Sequence, residues 1–574
     1  MPEYGPVRVP LTALLRRRVR ALRAEDVKVT APPADLVKDV DVEVAMRDGV
    51  VLRVNVHRPP GPGLPPSPVI LSAHPYGKDA LPKLRKGRYR PVFQSRVFRH
   101  PQPVEFSALT GWEAPDPAYW VRRGYVVVNA DLRGFGRSDG VGAPLSDQEA
   151  RDVHDLVEWA GTQPWSNGKV GLDGVSYLAI SQWKAAALRP PHLAAICPWE
   201  GFTDIYRDFM RPGTIREDGF SAIWAGAVKR VGRVETDIRA EQKARPLLDR
   251  WWAALCPELE RVEVPALVCA SFSDHRLHSR GSFEAWRRLG SRHKWLYTHR
   301  GGKWSTYYSA EAAATREAFF DWALKGRHNG WADRPAVRLE IRDRGDRIAE
   351  VRETAEFPPA GVRTRSLALD AGTGRMGEEP PEEAAVVTVG RRRPARFAWT
   401  LPDDLDVVGP VALRLHVEVS GGGDAHLFAG LRKFHAGREV TFEGSFGFER
   451  DLVTTGLLAA SARTGDPALS PSPTQPVHAF RTAAPLAAGE TAAVDVPLLP
   501  TATRFSAGDC LVLEVATRWF FPRNPVTGQF PAWYASGPRG TVRLHTGPDH
   551  PAAVLLPTLL AAPGEPRAEP RPGR

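Results

Sequence analysis

Lys169–Trp183, KVGLDGVSYLAISQW, reads as a short buried strand, an abrupt turn and the start of a helix. A serine squeezed between strand and helix needs a backbone that few residues tolerate. Gly174 supplies room for that turn and lifts the Ser176 hydroxyl above the sheet edge. Ser176 is therefore a candidate nucleophile, and the Tyr177 N–H, at a helix N-terminus, is a candidate donor to an oxyanion. A standard G-x-S-x-G elbow would have glycine at position 178; this chain has Leu178, with the small Ala179 one place later. A serine before a helix is also an ordinary N-cap, so the assignment needs partners elsewhere in the chain.

Outward from this stretch, apolar strands alternate with helical patterns. Val40, Val42 and Val44 alternate with polar residues, turn at Asp48-Gly49, and continue as Leu52, Val54 and Val56, the pattern of a hairpin. Val69-Ile70-Leu71 runs out to Tyr76, and the strand from Tyr125 to Asn129 ends in the loop from Asp131 to Ser138. Ser146 and Glu149 form a capping box ahead of a helix with Val153, Leu156 and Val157 on one face. Leu193–Cys197, Ala266–Ala270 and Trp295–Tyr297 are further strands, the last ending at His299, and a helix from Ser309 to Lys325 is closed by Gly326. This alternation predicts an α/β fold with a mostly parallel, doubly wound sheet.

Residues 36–198 and 262–330 are the expected halves of that domain, and the Trp/Arg-rich stretch 199–261 is an inserted helical cap. From 335 to 560 short alternating segments separated by Gly, Pro and Asp predict an all-β sandwich. Residues 1–35 read as an arm with one basic helix, and 561–574 as a disordered tail.

The 574 residues carry 77 basic and 66 acidic groups, a net +11, yet no basic block is interleaved with aromatics, which argues against nucleic-acid binding. The four cysteines show no metal-ligand spacing and suit a cytoplasmic protein, and no run approaches a membrane span. Neither metal nor organic cofactor is implied. The expected partner is a small-molecule ester or a short peptide; oligomeric state is left open, a homo-oligomer included.

A serine hydroxyl at neutral pH needs a base, and the base an orienting carboxylate. Asp274 follows one strand and His299 the next, giving the order Ser, Asp, His of α/β-hydrolases. His275 and His278 share the loop of Asp274, and His293 precedes the last strand; a base from a different loop than its acid favours His299, with His275 the main rival. Asp274 also suits a helix cap. The Tyr76 phenol is the candidate second oxyanion donor, with a pocket-wall role as the alternative. Asp131 and Arg133 read as a loop ion pair holding the Gly134/Gly136 turn.

The chain resembles the CocE/NonD family of serine hydrolases, grouped with X-prolyl dipeptidyl-peptidases, cocaine esterase and α-amino-acid ester hydrolases. The resemblance rests on Met46-Arg47-Asp48-Gly49-Val50, Arg58-Pro59, His74-Pro75-Tyr76, Asp116-Pro117 with Tyr119-Trp120, Asp131-Leu132-Arg133-Gly134, Glu158-Trp159, the run from Gln163 to Gly171, and Gly174-Val175-Ser176-Tyr177. It implies an α/β-hydrolase domain with a helical cap and a C-terminal jelly roll, a Ser176–Asp274–His299 triad, and Tyr76 with the Tyr177 amide as oxyanion hole. Two departures stand out: the family's glycine after Ser-Tyr is Ala179, and its Gly-Pro-Trp-x-His segment is replaced by Trp295-Leu296-Tyr297-Thr298-His299. Family members that recognise a substrate ammonium need buried carboxylates near the serine. Glu200, Asp204 and Asp208, beyond the Leu193–Cys197 strand, are the candidates, although Asp204 also suits a helix cap and Asp208 an ion pair. The preferred expectation is an acyl (carboxylic ester) hydrolase, with X-prolyl dipeptidyl-peptidase second and a noncatalytic binding protein third.

Overall fold

The computed structural model describes residues 26–559 apart from 62–64, 98–99, 101, 275–276, 346, 391, 448–450, 522–529 and 539. The expected basic helix of the arm, the tail from 561 and His275 fall outside the described residues.

Eight strands up to His299 build the part of the sheet that carries the Ser176 turn, and Val337–Arg344 continues it by parallel pairing with the last of them: β1 (Val37–Ala45), β2 (Val51–Arg58), β3 (Ser67–His74), β4 (Val126–Asp131), β5 (Ser166–Val175), β6 (Leu193–Trp199), β7 (Ala266–Ser271) and β8 (Lys294–His299). Their order is β1-β2-β4-β3-β5-β6-β7-β8; β1 and β2 are antiparallel, as are β2 and β4, and every later pair is parallel. The parallel strands are buried on both faces, which is why β3 and β4 read as unbroken apolar runs whereas β1 alternates. Four helices matter to the site: α1 (Asp147–Gly161), α2 (Tyr177–Ala187), α3 (Ser279–Arg288) and α4 (Ala310–Lys325). Between β6 and β7 the described residues form helices and irregular chain but no strand.

Three local expectations differ from the structure. Val27–Thr30, assigned to the arm, is a strand paired in parallel with Val104–Ser107. Ser146 does cap α1 by accepting from the Glu149 N–H, but the Glu149 side chain does not reach back: its carboxylate is buried and accepts from the Tyr177 hydroxyl at 2.7 Å. Arg133 pairs with Asp152 and Asp48 rather than with Asp131, whose carboxylate instead accepts the N–H groups of Lys78 and Arg137 and fills the space a side chain at position 136 would need.

Beyond Val337 the described elements are strands, apart from one short helical turn, Ala460–Ala462. Two long strands, Leu405–Val419 and Thr491–Phe505, pair antiparallel at the centre of this β-rich region. Arg300, just past β8, ties the regions together. Its fully buried guanidinium donates to Thr503 Oγ1 (2.8 Å) and to the carbonyls of Leu452 (2.5 Å) and Val453 (3.0 Å), and stacks 3.7 Å over the Phe442 ring. Leu84 and Phe93 are among the few large apolar side chains left exposed. No helix of the described residues is long and apolar enough to cross a membrane.

Candidate active site

Ser176 sits between β5 and α2 with φ 60° and ψ −115°, a conformation that non-glycine residues avoid and that is held only where the surroundings over-determine it. Its N–H donates to the Trp199 carbonyl and its own carbonyl accepts from Ala179 and Ile180. Gly174 has φ 149°, and a Cβ there would lie 2.4 Å from Leu178 Cβ, so the bulky Leu178 is tolerated because position 174 has no side chain. The close approach that the elbow's second glycine normally permits is divided between two residues here: a Cβ at Gly201 would lie 2.9 Å from Ala179 Cβ.

The imidazole that meets Ser176 is that of His278. Its Nε2 lies 3.3 Å from Ser176 Oγ and its Nδ1 2.5 Å from Asp274 Oδ2. His299, the expected base, is elsewhere: its Nε2 is 3.0 Å from Glu200 Oε1 and its Nδ1 accepts from the Gly301 N–H. The reason is local. After β7 the chain turns so that the Asp274 carbonyl accepts the N–H groups of Leu277, His278 and Ser279, and one helical turn brings side chains four residues apart onto the same side. The acid and the base can therefore share a loop. The signal in the sequence was the i, i+4 spacing of Asp274 and His278 immediately before an amphipathic helix.

Lys303, which the sequence reading missed, completes this cluster. Its fully buried ammonium lies 2.8 Å from Asp274 Oδ2, 2.9 Å from His278 Nδ1 and 3.8 Å from Glu200 Oε2. A bare imidazole nitrogen and a carboxylate oxygen repel at 2.5 Å, so the proton belongs on Nδ1, donating to Asp274, and the Nε2 lone pair faces the serine. Burial and then the Lys303 charge hold the His278 pKa below the ordinary 6.5, while Lys303 and His278 together outweigh burial and keep Asp274 well below the usual carboxylate range. Glu200, Asp274 and His278 also offer three donor atoms within 4.8 Å of one another, a grouping that could hold a metal ion. The Lys303 ammonium, within 3.8 Å of all three residues, already supplies the positive charge such an ion would bring.

Tyr76 packs edge-on to Tyr177 at 6.2 Å, and its hydroxyl shares a hydrogen bond with Trp224. Burial, and next the charge of Glu113, push its pKa well above 10, so the phenol keeps its proton and remains a donor. The Tyr177 N–H lies in the first turn of α2, where no intrahelical carbonyl is in reach. Glu113, also unforeseen, bends back beneath the elbow with φ 63°, its carbonyl accepting the Val175 N–H. Its carboxyl is pushed up to about 8 by burial, against the pull of Lys303. Oε1 accepts from the Trp304 indole at 3.3 Å, and Oε2 is buried without a partner.

Of the three expected ammonium-binding carboxylates, Glu200 lies nearest this cluster, bound to His299 and accepting from Ser445 Oγ at 3.0 Å. Asp204 is taken up by Arg207, accepting from its N–H and pairing with its guanidinium. Asp208 accepts the N–H groups of Thr203 and Asp204 and pairs with Arg280. Every oxygen of those two aspartates is engaged within the protein. The surroundings are otherwise aromatic: Phe202 stacks on His278, Trp224 on Tyr177, and Phe446 of the β-rich region lies against Trp304. Trp519, Phe520, Phe521, Trp533 and Tyr534 line a separate cavity within the β-rich region.

Comparison with known proteins follows the same geography. A family described as X-Pro dipeptidyl-peptidase (S15 family) matches residues 48–245, and one described as X-Pro dipeptidyl-peptidase C-terminal non-catalytic domain matches residues 329–555. The crystal structure of a CocE/NonD family hydrolase from Staphylococcus aureus is 34% identical, covering 91% of this chain and 94% of that one, with a TM-score of 0.85. Cocaine esterase of Rhodococcus sp. (strain MB1 Bresler) is 25% identical over 604 aligned positions, 90% of this chain and 98% of the relative. An α-amino acid ester hydrolase shares the fold at 18% identity, with a TM-score of 0.67 over 91% of this chain and 97% of that one.

The Tyr177 side chain and backbone are separable, the phenol donating to Glu149 and the N–H opening the first turn of α2. Tyr177→Phe is expected to lower stability by about 1–3 kcal/mol, because Glu149 loses a buried partner. It should leave kcat within about threefold, as measured by urea unfolding alongside ester hydrolysis.

Proposed function

The chain belongs to the CocE/NonD family of serine hydrolases, and from that premise we propose that it is an acyl esterase working through Ser176, His278 and Asp274, with Lys303 as a positioning residue. The observation that carries the reading is the continuous relay from Ser176 Oγ to His278 Nε2 (3.3 Å) and from His278 Nδ1 to Asp274 Oδ2 (2.5 Å). In this reading the eight-stranded part of the sheet is an α/β-hydrolase sheet, the helices between β6 and β7 its cap, and the β-rich region a jelly roll. A cytoplasmic location, suggested by four unbridged cysteines, goes with it.

His278 takes the Ser176 proton as the hydroxyl attacks the ester carbonyl, and the resulting imidazolium is stabilised by Asp274. The oxyanion is met by the Tyr177 N–H at the helix N-terminus and by the Tyr76 phenol, which burial keeps protonated. His278 returns the proton to the leaving alkoxide. Water activated by the same imidazole then releases the acid. The 3.3 Å serine–imidazole separation suits a substrate-free site, where such bonds are commonly long and shorten on the reaction path. Lys303 holds the Asp274 carboxylate anionic and turned toward Nδ1.

Esters are preferred over X-prolyl peptides because the oxygens of Asp204 and Asp208 are consumed by internal partners, leaving neither to receive a peptide ammonium. Aryl acyl esters are expected to turn over, whereas a Gly-Pro anilide should be cleaved at least about a hundredfold less efficiently. Efficient anilide cleavage without ester cleavage would reverse the preference.

Replacing the base separates the two histidines. Ser176→Ala and His278→Ala should each lower kcat by about 10³–10⁶-fold and abolish labelling by a fluorophosphonate, while His299→Gln retains the label. Loss of labelling in His299→Gln with retention in His278→Ala would reassign the base.

The pH profile gives an independent test. Activity requires neutral His278, so kcat/KM climbs as pH rises through the His278 pKa, which burial and Lys303 hold below 6.5. Lys303→Met removes the nearest cation while Asp274 and Glu200 remain, so the acid limb should move to higher pH by about one unit.

A further inference from the structure

We infer that the β-hairpin Lys83–Arg90 docks the protein on an anionic phospholipid surface, an inference independent of which residues make up the triad. The hairpin pairs Lys83 with Arg90, Leu84 with Tyr89 and Arg85 with Arg88, and turns at Lys86-Gly87, where both residues have positive φ (50° and 74°). Because side chains alternate across a strand, Lys83, Arg85, Arg88 and Arg90 all project from one face, with Lys86 at the tip. Each of these cations is exposed, and no carboxylate of the described residues pairs with any of them.

Like charges placed directly opposite on neighbouring strands destabilise a hairpin, and here both flanking cross-strand pairs are cation on cation. Elsewhere this chain pairs its surface arginines freely, as Arg414 does with Asp495 across two strands. The unneutralised face is therefore complementary to an anionic partner.

Two large apolar side chains identify the kind of partner. Leu84, across from Tyr89 on the hairpin face opposite the cations, is 60% exposed, and Phe93, three residues beyond the hairpin, is 68% exposed. A hairpin with a cationic face, an exposed leucine on its other face and an exposed phenylalanine just past its end matches a charged headgroup layer above acyl chains. A single-stranded nucleic acid would call for aromatic rings among the cations, yet the hairpin's only ring, Tyr89, is on the opposite face and half-buried. The segment that follows leads directly to the catalytic cluster. Val92, Ser95 and His100 line one small cavity with Trp112, Glu113 and Trp304, and the His100 and Trp304 rings lie 6.0 Å apart. A protein held by this hairpin would keep its site close to esters dissolved in the surface.

Flotation of the full chain with phosphatidylcholine vesicles, with and without phosphatidylglycerol, tests the assignment. Binding is expected only with the anionic lipid, and it should collapse at about 0.5 M NaCl, where screening shortens the reach of the charges to a few ångströms. The variant K83Q/R85Q/R88Q/R90Q should lose at least about tenfold in bound fraction, while hydrolysing a water-soluble ester normally. L84A/F93A, with every charge in place, should also bind more weakly. The inference is overturned if wild type ignores phosphatidylglycerol vesicles, if the four-glutamine variant binds as well as wild type, or if a single-stranded oligonucleotide is bound in place of vesicles with L84A/F93A unaffected.

Discussion

The ammonium of Lys303, buried among Asp274, His278 and Glu200, is the interaction on which the catalytic cluster depends. Burying one carboxylate costs several kcal/mol, and here Glu200, Asp274 and Glu113 are buried near one another. One shared cation reduces that cost for all three, and the order of its effects follows proximity: Asp274 is held ionised, whereas Glu113, farther off, is pushed up to about 8. The same residue reaches the β-rich region, its N–H donating to the Ser445 carbonyl and its ammonium lying 4.8 Å from the Phe446 ring centre. The electrostatics of the site and the seating of the C-terminal region are thus one problem with one solution.

The strained serine backbone is held by complementary packing on both sides. Gly174 makes room for Leu178, and Gly201 makes room for Ala179, so an elbow that departs from the usual glycine pattern keeps its geometry by moving the missing space to the facing chain. Glu149 shows the same economy. Its position three residues after Ser146 suits a capping box, yet it accepts from the buried Tyr177 phenol, since a buried hydroxyl without a partner is costly whereas the Ser146 N–H already donates to the Ala143 carbonyl.

Much of the architecture was legible because it rests on short-range rules. The unbroken apolar runs of β3 and β4, the alternation of β1, the turn at Asp48-Gly49 and the glycine that ends α4 each carry their own signal. So did Ser176, since strand, glycine, serine and helix are contiguous. The β-rich region was equally open to reading, for its strands alternate between turn residues.

The residues by themselves placed Ser176 on a turn between strand and helix and Asp274 just past a later strand, and divided the chain into an α/β part and a β-rich region. They did not determine which imidazole meets Ser176, because His278 and His299 both follow a sheet strand and only the fold after Asp274 decides which ring faces the serine. Nor did they mark Lys303 or Glu113, which are 127 and 63 positions from the serine respectively and become neighbours only when loops from separate strands converge. Burial assigns their charges, and burial is a property of the assembled fold.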